Sequence, residues 1–247
     1  VFGSAAVAVN AIAVNNIEGS LSGTISADYS PYEISNHISV ETEDTLIIEP
    51  GVELQFLGEY RFVINGTLIA EGDPDELIRF KASESNNEGW DGIKIFNDGS
   101  ILEYCIIEYS GSLLSNWDGG AIYTDSSSPF INYCTIRYTT GNGIKIKPGA
   151  SFKFTNNTIN SNENAGLYIS GSVSSGTLVE INGNIFDNNS SSSTYWFNRQ
   201  AVKIDNLGVA THFKNNTIKN HSNTADAHVG IFGSDLVISG NIIKDNS

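Results

Sequence analysis

One position in five successive repeats carries lysine and tyrosine in alternation, two residue types that can bind a sugar polymer. The members of this lysine–tyrosine column are Lys94, Tyr123, Lys145, Tyr168 and Lys203. Each lies between two residues that we assign to the inward side of a short alternating segment, and all of these except Thr124 are apolar. The pleat of a β-strand therefore turns the column residue away from the core. Tyrosine rings pack on the apolar faces of sugars, and ammonium groups attract carboxylates. The column therefore predicts a surface for an anionic polysaccharide.

The same column also has a purely structural interpretation. Tyrosine suits a partly exposed sheet, and lysines placed between tyrosines avoid like-charge contacts while discouraging aggregation. The residue types alone do not decide between ligand binding and ordinary sheet packing.

Aromatic residues also cluster in a segment that interrupts the repeats. The cluster consists of Tyr195, Trp196, Phe197 and Arg199. Binding residues concentrate in loops held by a rigid scaffold, so the cluster predicts a ligand site; the alternative is that the segment folds back over the flank of the protein. Trp90 and Trp117, which both precede Asp-Gly, either stack on a sugar ring or pack on the neighbouring repeat.

These candidates are positioned by a repeat that returns at intervals of 23 to 32 residues. Its clearest marker is a cysteine or asparagine two residues before a large apolar residue, at Cys105, Cys134, Asn157, Asn184, Asn216 and Asn241. Each repeat holds short alternating β-segments separated by Gly, Asn, Asp and Ser. One such unit cannot bury its apolar face alone, so a period of this length indicates a stacked β-solenoid.

The recurring asparagine predicts a ladder in which each side-chain amide hydrogen-bonds to the neighbouring coil. Cys105 and Cys134 replace asparagine in two coils. Side chains of in-register parallel neighbours have poor disulfide geometry, so we expect two free, buried thiols.

The composition limits the classes of partner. The chain has 28 acidic against 13 basic side chains and a formal net charge of −15, which argues against nucleic acid, since a phosphate backbone requires a basic surface. The sequence contains no run of about 18 apolar residues, so we expect no membrane-spanning helix. We also expect the protein to be a monomer. Because the sequence contains no Met, we expect a processed or excised fragment whose repeats are cut at Ser247.

The repeats resemble those of right-handed parallel β-helix proteins, the superfamily that includes pectate lyases, polygalacturonases, tailspikes and many secreted surface proteins. Residues 40–80, which contain TLIIEPGVELQF, INGTLIAEGD and LIRF, are similar to the first coils of bacterial and archaeal surface β-helix repeat proteins. The resemblance covers about residues 39–246. It implies an all-β fold, a single-stranded right-handed parallel β-helix (β-solenoid), with an N-terminal capping segment over 1–38 and one continuous repeat domain over 39–247.

The same resemblance implies an extracellular or cell-surface location in a prokaryote. The function that we favour is a secreted or surface-anchored non-catalytic module, structural, polysaccharide-binding or both. The alternative is a polysaccharide lyase or glycoside hydrolase acting on an acidic glycan, and a third class is a module that assembles end to end. Fold resemblance does not choose between them.

Residues for catalysis or for a cofactor are not evident. Inverting hydrolysis needs two carboxyl groups roughly 6.5–9.5 Å apart, but lysine and tyrosine occupy the outward columns, and the tripeptides typical of polygalacturonases are absent. The histidines are scattered, so we assign no catalytic residue. Asp73, Asp75 and Glu76 offer oxygen ligands of the kind that Ca²⁺ prefers, although a solvated turn is the alternative; we expect no cofactor, with Ca²⁺ as the one candidate.

Overall fold

The structure, a computed structural model, describes residues 7–8, 16–111, 120–149, 151–171, 178–190, 200–205, 209–222, 229–232 and 235–246. Over these residues the chain forms a parallel β-solenoid of about seven turns with almost no helix, which confirms the predicted architecture. Within the described residues, no helix is long and apolar enough to cross a membrane.

Three short strands make each regular turn. The N-terminal elements are β1 (Val7–Ala8), β2 (Asn16–Ile25), a 3₁₀ helix (Ala27–Tyr29), β3 (Tyr32–Val40), β4 (Thr45–Ile48) and β5 (Glu53–Phe56). The following turns contain β6 (Phe62–Ile64), β7 (Thr67–Glu71), β8 (Ile78–Ala82); β9 (Ile93–Ile95), β10 (Ile101–Glu103), β11 (Cys105–Glu108); β12 (Gly120–Asp125), β13 (Phe130–Asn132), β14 (Thr135–Arg137); β15 (Asn142–Lys147), β16 (Phe152–Thr155), β17 (Thr158–Asn160); β18 (Leu167–Ile169), β19 (Leu178–Asn182), β20 (Ile185–Asp187); β21 (Val202–Ile204), β22 (Ala210–Lys214), β23 (Thr217–Lys219); and β24 (Val229–Ile231), β25 (Leu236–Ser239), β26 (Ile242–Lys244).

Equivalent strands of successive turns pair in parallel and form three sheets. The first sheet contains β6, β9, β12, β15, β18, β21 and β24. The second contains β4, β7, β10, β13, β16, β19, β22 and β25, and the third contains β5, β8, β11, β14, β17, β20, β23 and β26. Neighbouring strands of a sheet lie about 4.8 Å apart, so residues at the same position of successive turns form columns.

The parallel register continues through the segment that the sequence assigned to a cap. The end of β2 pairs with β4, Ile25 opposite Ile48, and the end of β3 pairs with β6, Val40 opposite Ile64. Ile25 and Val40 are fully buried. Residues 16–38 therefore include strands that pair in parallel with the following turns, and the domain boundary expected at residue 38 stays a prediction. A capping role for the residues before 16 stays a prediction.

The core is a set of stacked aliphatic columns. The inward residues predicted for the first sheet are all buried: Ile93, Ile95, Ile122, Thr124, Ile144, Ile146, Leu167, Ile169, Val202 and Ile204. Strand alternation explains this burial, since every second residue of a strand points to the same side. Each buried aliphatic side chain contributes about 1.5–3 kcal/mol of transfer free energy, and stacking makes this core continuous along the solenoid.

Two corners of each turn contain a residue with left-handed backbone. At the corner before the third sheet these residues are Tyr104, Tyr133, Asn156, Gly183, Asn215 and Gly240. At the corner after the third sheet they are Tyr109, Tyr138, Ser161, Asn188, Asn220 and Asp245. Glycine and asparagine tolerate this conformation best, so the four tyrosines are exceptions.

Candidate functional site

The predicted asparagine ladder is confirmed at the corner before the third sheet. The backbone N–H of Cys134 donates to Oδ1 of Asn157 at 2.8 Å, and the backbone N–H of Asn157 donates to Oδ1 of Asn184 at 2.9 Å. The backbone N–H groups of Asn184 and Asn216 donate in the same way to Oδ1 of Asn216 and Asn241. Each Nδ2 donates to a backbone carbonyl of the previous turn, as Asn157 does to Ile131 at 3.1 Å. The ladder therefore provides hydrogen-bond partners for the backbone N–H and C=O groups at this corner that are not paired between strands.

A second ladder, which the sequence reasoning missed, follows the third sheet. The backbone N–H of Asn162 donates to Oδ1 of Asn189 at 3.3 Å, and that of Asn189 donates to Nδ1 of His221 at 3.0 Å. The backbone N–H of His221 donates to Oδ1 of Asn246 at 2.9 Å. The signal in the sequence was an asparagine or histidine five residues after each first-ladder asparagine. His221 is therefore a buried ladder residue.

The two cysteines are free and buried, as predicted. The thiol of Cys134 donates to the carbonyls of Leu102 and Asn132, both at 3.3 Å. Burial, together with the neighbouring Cys134 thiol, raises the pKa of Cys105 well above its usual value. These thiols substitute for ladder amides, and the raised pKa disfavours a reactive thiolate.

The lysine–tyrosine column exists in the predicted register. Its members stand opposite one another in successive turns of the first sheet: Lys94, Tyr123, Lys145, Tyr168 and Lys203. Lys94 and Tyr123 are nevertheless buried, and the other three members are half-buried. The column presents less surface than strand alternation alone suggests.

The polar ends of this column bind carboxylates of the protein. Tyr123 donates to Asp125 at 3.0 Å, and Lys147 donates to both, at 3.0 Å to Tyr123 and 3.1 Å to Asp125. Lys203 lies 3.3 Å from Asp205. Burial opposes ionisation of Asp125, but its hydrogen bonds from Lys147, Tyr123 and Ser126 outweigh burial and lower its pKa. An anionic polysaccharide at this column would compete with these internal partners, and binding there stays a prediction.

The structure places Trp90 inside the protein, which contradicts its candidacy as a sugar platform. It is fully buried, its ring stacks on Phe56 with 4.0 Å between centroids, and its Nε1 donates to the carbonyl of Glu108 at 2.9 Å. A buried indole needs such a polar partner, so packing explains this residue. The remaining predicted ligand residues, Trp117 and the cluster Tyr195, Trp196, Phe197 and Arg199, lie outside the described residues and stay predictions.

The acidic residues considered for Ca²⁺ form local contacts. The backbone N–H of Asp75 donates to Oδ1 of Asp73 at 3.1 Å within an exposed turn. Another carboxylate, that of Asp91, which is not part of this acidic cluster, lies 3.0 Å from Arg61 and 3.9 Å from Lys94. Across the described part of the chain, no three His, Cys, Asp or Glu side chains are grouped to hold a metal ion. Calcium binding stays a prediction.

Two exposed tyrosine pairs, also missed by the sequence reasoning, lie at the two ends of the third sheet. The rings of Tyr104 and Tyr133 stack with 4.8 Å between centroids and 4° between planes. The rings of Tyr109 and Tyr138 stack with 5.3 Å and 20°. Tyr109, Tyr133 and Tyr138 are 49%, 46% and 42% exposed. The signal in the sequence was tyrosine at the same two positions, five residues apart, in two successive repeats.

All four tyrosines have positive φ, between 50° and 56°. This region is uncommon for a bulky residue, and it costs an L-residue roughly 1–2 kcal/mol. The equivalent corners of later turns contain mostly asparagine or glycine. Local backbone preference therefore does not explain why tyrosine occupies these four corners. Strained backbone positions of this kind are concentrated at binding sites.

A groove of about 640 Å³ adjoins only the second of these pairs. Its walls are Lys81, Ala82, Ser83, Glu84, Asn86, Asn87, Glu88, Gly89, Glu108, Tyr109, Ser110, Tyr138 and Thr140. Glu108 is buried and paired with Arg137, whose Nε and Nη2 both lie 2.7 Å from its Oε2. The Arg137 guanidinium also lies 5.2 Å from the Tyr138 ring centroid. An aromatic wall beside polar side chains is an arrangement suited to a polyhydroxylated ligand.

Comparison with known proteins agrees with this architecture. The family model described as "Right handed beta helix region" matches residues 9–182 and, in a second overlapping alignment, residues 65–230. Two overlapping alignments are expected when similar coils allow more than one register. No curated protein and no solved structure matches the chain.

Proposed function

We propose that this chain, which belongs to the right-handed β-helix family, is a non-catalytic module outside the prokaryotic cell or on its surface that acts as a structural rod and binds polysaccharide on one side. The fold itself is common to structural, binding and enzymatic members of that superfamily. The choice among these functions therefore rests on the side chains that the solenoid presents.

The exposed stacked tyrosine pairs are the observation that carries this proposal. A tyrosine offers a flat apolar face and a hydroxyl that hydrogen-bonds, and this combination suits a sugar ring with its apolar faces and hydroxyl rim. Asn156 and Asn188 occupy the equivalent corners of neighbouring turns, so the fold does not require tyrosine there. Retention of four strained aromatic residues, three of them 42–49% exposed, is better explained by a ligand than by stability.

The ionisable groups near the third sheet support binding over catalysis. Glu108 is paired with Arg137 at 2.7 Å, and Glu53 is paired with Lys81 at 3.0 Å. Burial raises the pKa of Glu53, but its hydrogen bonds from Gln55 and Lys81 outweigh burial and lower it. A general acid requires the opposite shift, because it must hold a proton near neutral pH. The glycan-cleaving alternative accordingly has less support on this face.

A glycan array tests the proposal directly. The parent chain and a variant with Tyr104, Tyr109, Tyr133 and Tyr138 all changed to Asn are compared, with added Ca²⁺ and with a chelator. Asparagine is chosen because it already occupies both corners in other turns. We expect the parent to bind at least one polysaccharide and the variant to lose that binding while its unfolding midpoint stays similar.

Three results would overturn the proposal. Failure of the parent to bind any glycan under either condition would leave only the structural role. Equal binding by parent and variant would show that the tyrosines are not part of the binding site. Release of reducing ends or of unsaturated sugars from a bound glycan would replace the binding module by the enzymatic alternative.

A further inference from the structure

The two tyrosine pairs differ in what surrounds them, and this difference locates the ligand. Tyr109 and Tyr138 line the groove, whereas Tyr104 and Tyr133 are not among its walls. A sugar stacked beside the groove contacts protein on more than one side, and concave sites bury far more of a ligand than a flat surface does. If the chain binds polysaccharide as proposed above, the pair beside the groove is the stronger binding position.

The part of the groove wall around Asn86 is held by hydrogen bonds within the protein. Nδ2 of Asn86 donates to the carbonyls of Phe56 at 3.1 Å and Gly89 at 2.8 Å, and its Oδ1 accepts the backbone N–H of Glu88 at 3.1 Å. Beneath this loop, Trp90 is stacked on Phe56. A wall with its hydrogen bonds already made does not need to be ordered on binding, which favours affinity.

The polar groups of the groove suit hydroxyl groups. Ser110 is buried in the wall, and its Oγ has no hydrogen-bond partner among the described residues. A buried hydroxyl without a partner is unusual and calls for a water or a ligand group. Thr140 is half-buried, and Asn87 is exposed. Sugar hydroxyls can donate to or accept from Ser110 and Asn87. They can donate to Thr140, whose own hydroxyl donates to the Gly111 carbonyl.

The charge of the groove disfavours an acidic ligand. The cation Lys81 is paired with Glu53 at 3.0 Å, and Arg137 is paired with Glu108 at 2.7 Å. Glu84 and Glu88 are exposed, and within the described part of the chain neither forms a salt bridge. The groove is therefore net negative in a chain of formal charge −15. Uronate or sulfate groups would be repelled there.

We infer that the groove beside Tyr109 and Tyr138 binds an uncharged polysaccharide, whose sugar rings pack against the two tyrosine rings. This ligand class differs from the anionic polysaccharide that the lysine–tyrosine column predicted. The difference arises because the column lysines Lys94 and Lys203 lie beside carboxylates of the protein, while Glu84 and Glu88 of the groove form no salt bridge with any described residue.

Matched double variants test this assignment. Tyr109→Asn with Tyr138→Asn alters the groove, and Tyr104→Asn with Tyr133→Asn makes the same chemical change at the other corner. Affinity for uncharged polysaccharides bound on the array is measured by titration calorimetry at low and at high salt. We expect about a tenfold or greater loss for the groove variant, little change for the other variant, and little salt dependence, since an uncharged ligand is not screened.

The contrary results separate this inference from the proposed function. Loss of affinity in the Tyr104 and Tyr133 variant, with full affinity in the groove variant, would overturn the site while the binding function stands. Binding confined to acidic polysaccharides, weakened by salt, would overturn the ligand class. Absence of any polysaccharide binding by the parent would overturn both.

Discussion

Oδ1 of Asn184 accepts the backbone N–H of Asn157 in the preceding turn at 2.9 Å. The Nδ2 of the same side chain donates to the carbonyl of Phe154 at 2.9 Å, and the side chain is fully buried. One amide therefore satisfies a donor and an acceptor at a corner where the chain turns between sheets. The ladder defines the corners on which the tyrosine pairs are presented.

Removal of this amide is expected to destabilise the solenoid. Asn184→Ala leaves the Asn157 N–H and the Phe154 carbonyl buried without partners, at about 1–3 kcal/mol each, so the free energy of unfolding should fall by roughly 2–6 kcal/mol. Urea denaturation measures it. Asn160→Ala, at a half-buried outward position, is the control and should cost less than about 1 kcal/mol. If both variants lost a similar amount of unfolding free energy, the ladder would not be a specific source of stability.

Cys134→Asn should extend the ladder by one turn. The new Oδ1 would face the corner of Cys105 as Asn157 now faces that of Cys134, and the new Nδ2 would replace the thiol bond to the Leu102 carbonyl. We expect unfolding free energy at or above that of the parent, and a loss of about 1–2 kcal/mol for Cys134→Ala, which leaves that carbonyl without a donor. Thermal and urea unfolding of the parent and both variants measure their order of stability. An asparagine variant less stable than the alanine variant would show that the thiol site cannot hold an amide.

His221→Asn should preserve the second ladder. The imidazole accepts the Asn189 N–H through Nδ1 at 3.0 Å, and its Nε2 lies 3.3 Å from the Phe186 carbonyl. An asparagine amide makes the equivalent contacts in neighbouring turns, as Asn189 does to the Ile159 carbonyl at 2.8 Å. We expect the asparagine variant to unfold within about 1 kcal/mol of the parent and His221→Ala to lose roughly 1–3 kcal/mol. The opposite order would assign the histidine a role other than the ladder.

Acid should weaken the contact between Asp125 and Lys147. Burial raises the pKa of Asp125, but the hydrogen bonds that it accepts from Lys147 and Tyr123 outweigh burial and lower it. The hydrogen bonds that Lys147 donates to Tyr123 and Asp125 raise the pKa of Lys147. A lowered carboxyl pKa stabilises the fold above the ordinary aspartate value of about 3.9, and this contribution disappears as the pH falls through the lowered folded value.

The size of this effect is limited by exposure. Both side chains are 40% exposed, so we expect a contribution below about 1 kcal/mol. Unfolding free energies of the parent and Asp125→Asn should differ at pH 7 and converge once the pH falls below about 4. Glu163→Gln, at an exposed position, is the control. A difference between parent and Asp125→Asn that persists unchanged into acid would show that the carboxylate charge is not responsible.

The sequence was sufficient for the solenoid, the inward columns and the first ladder, because each depends on regular spacing. It did not show that β2 pairs with both β3 and β4, or that β3 pairs with both β5 and β6. Strand alternation also could not show that Trp90 packs beneath a loop. The tyrosine pairs lie at left-handed corners that tyrosine rarely occupies, so propensity argued against them, and the groove arises from three turns brought together only by stacking.

Protection of individual tyrosines from chemical nitration by a bound polysaccharide is the most direct test of the central claim. The parent chain is nitrated with and without an uncharged polysaccharide identified on the array, and each tyrosine is quantified by mass spectrometry. The account predicts that the ligand protects Tyr109 and Tyr138, while Tyr104 and Tyr133 are modified to the same extent in both samples. Protection confined to Tyr123 and Tyr168 of the lysine–tyrosine column, or no protection at Tyr109 and Tyr138 when the ligand is saturating, would contradict it.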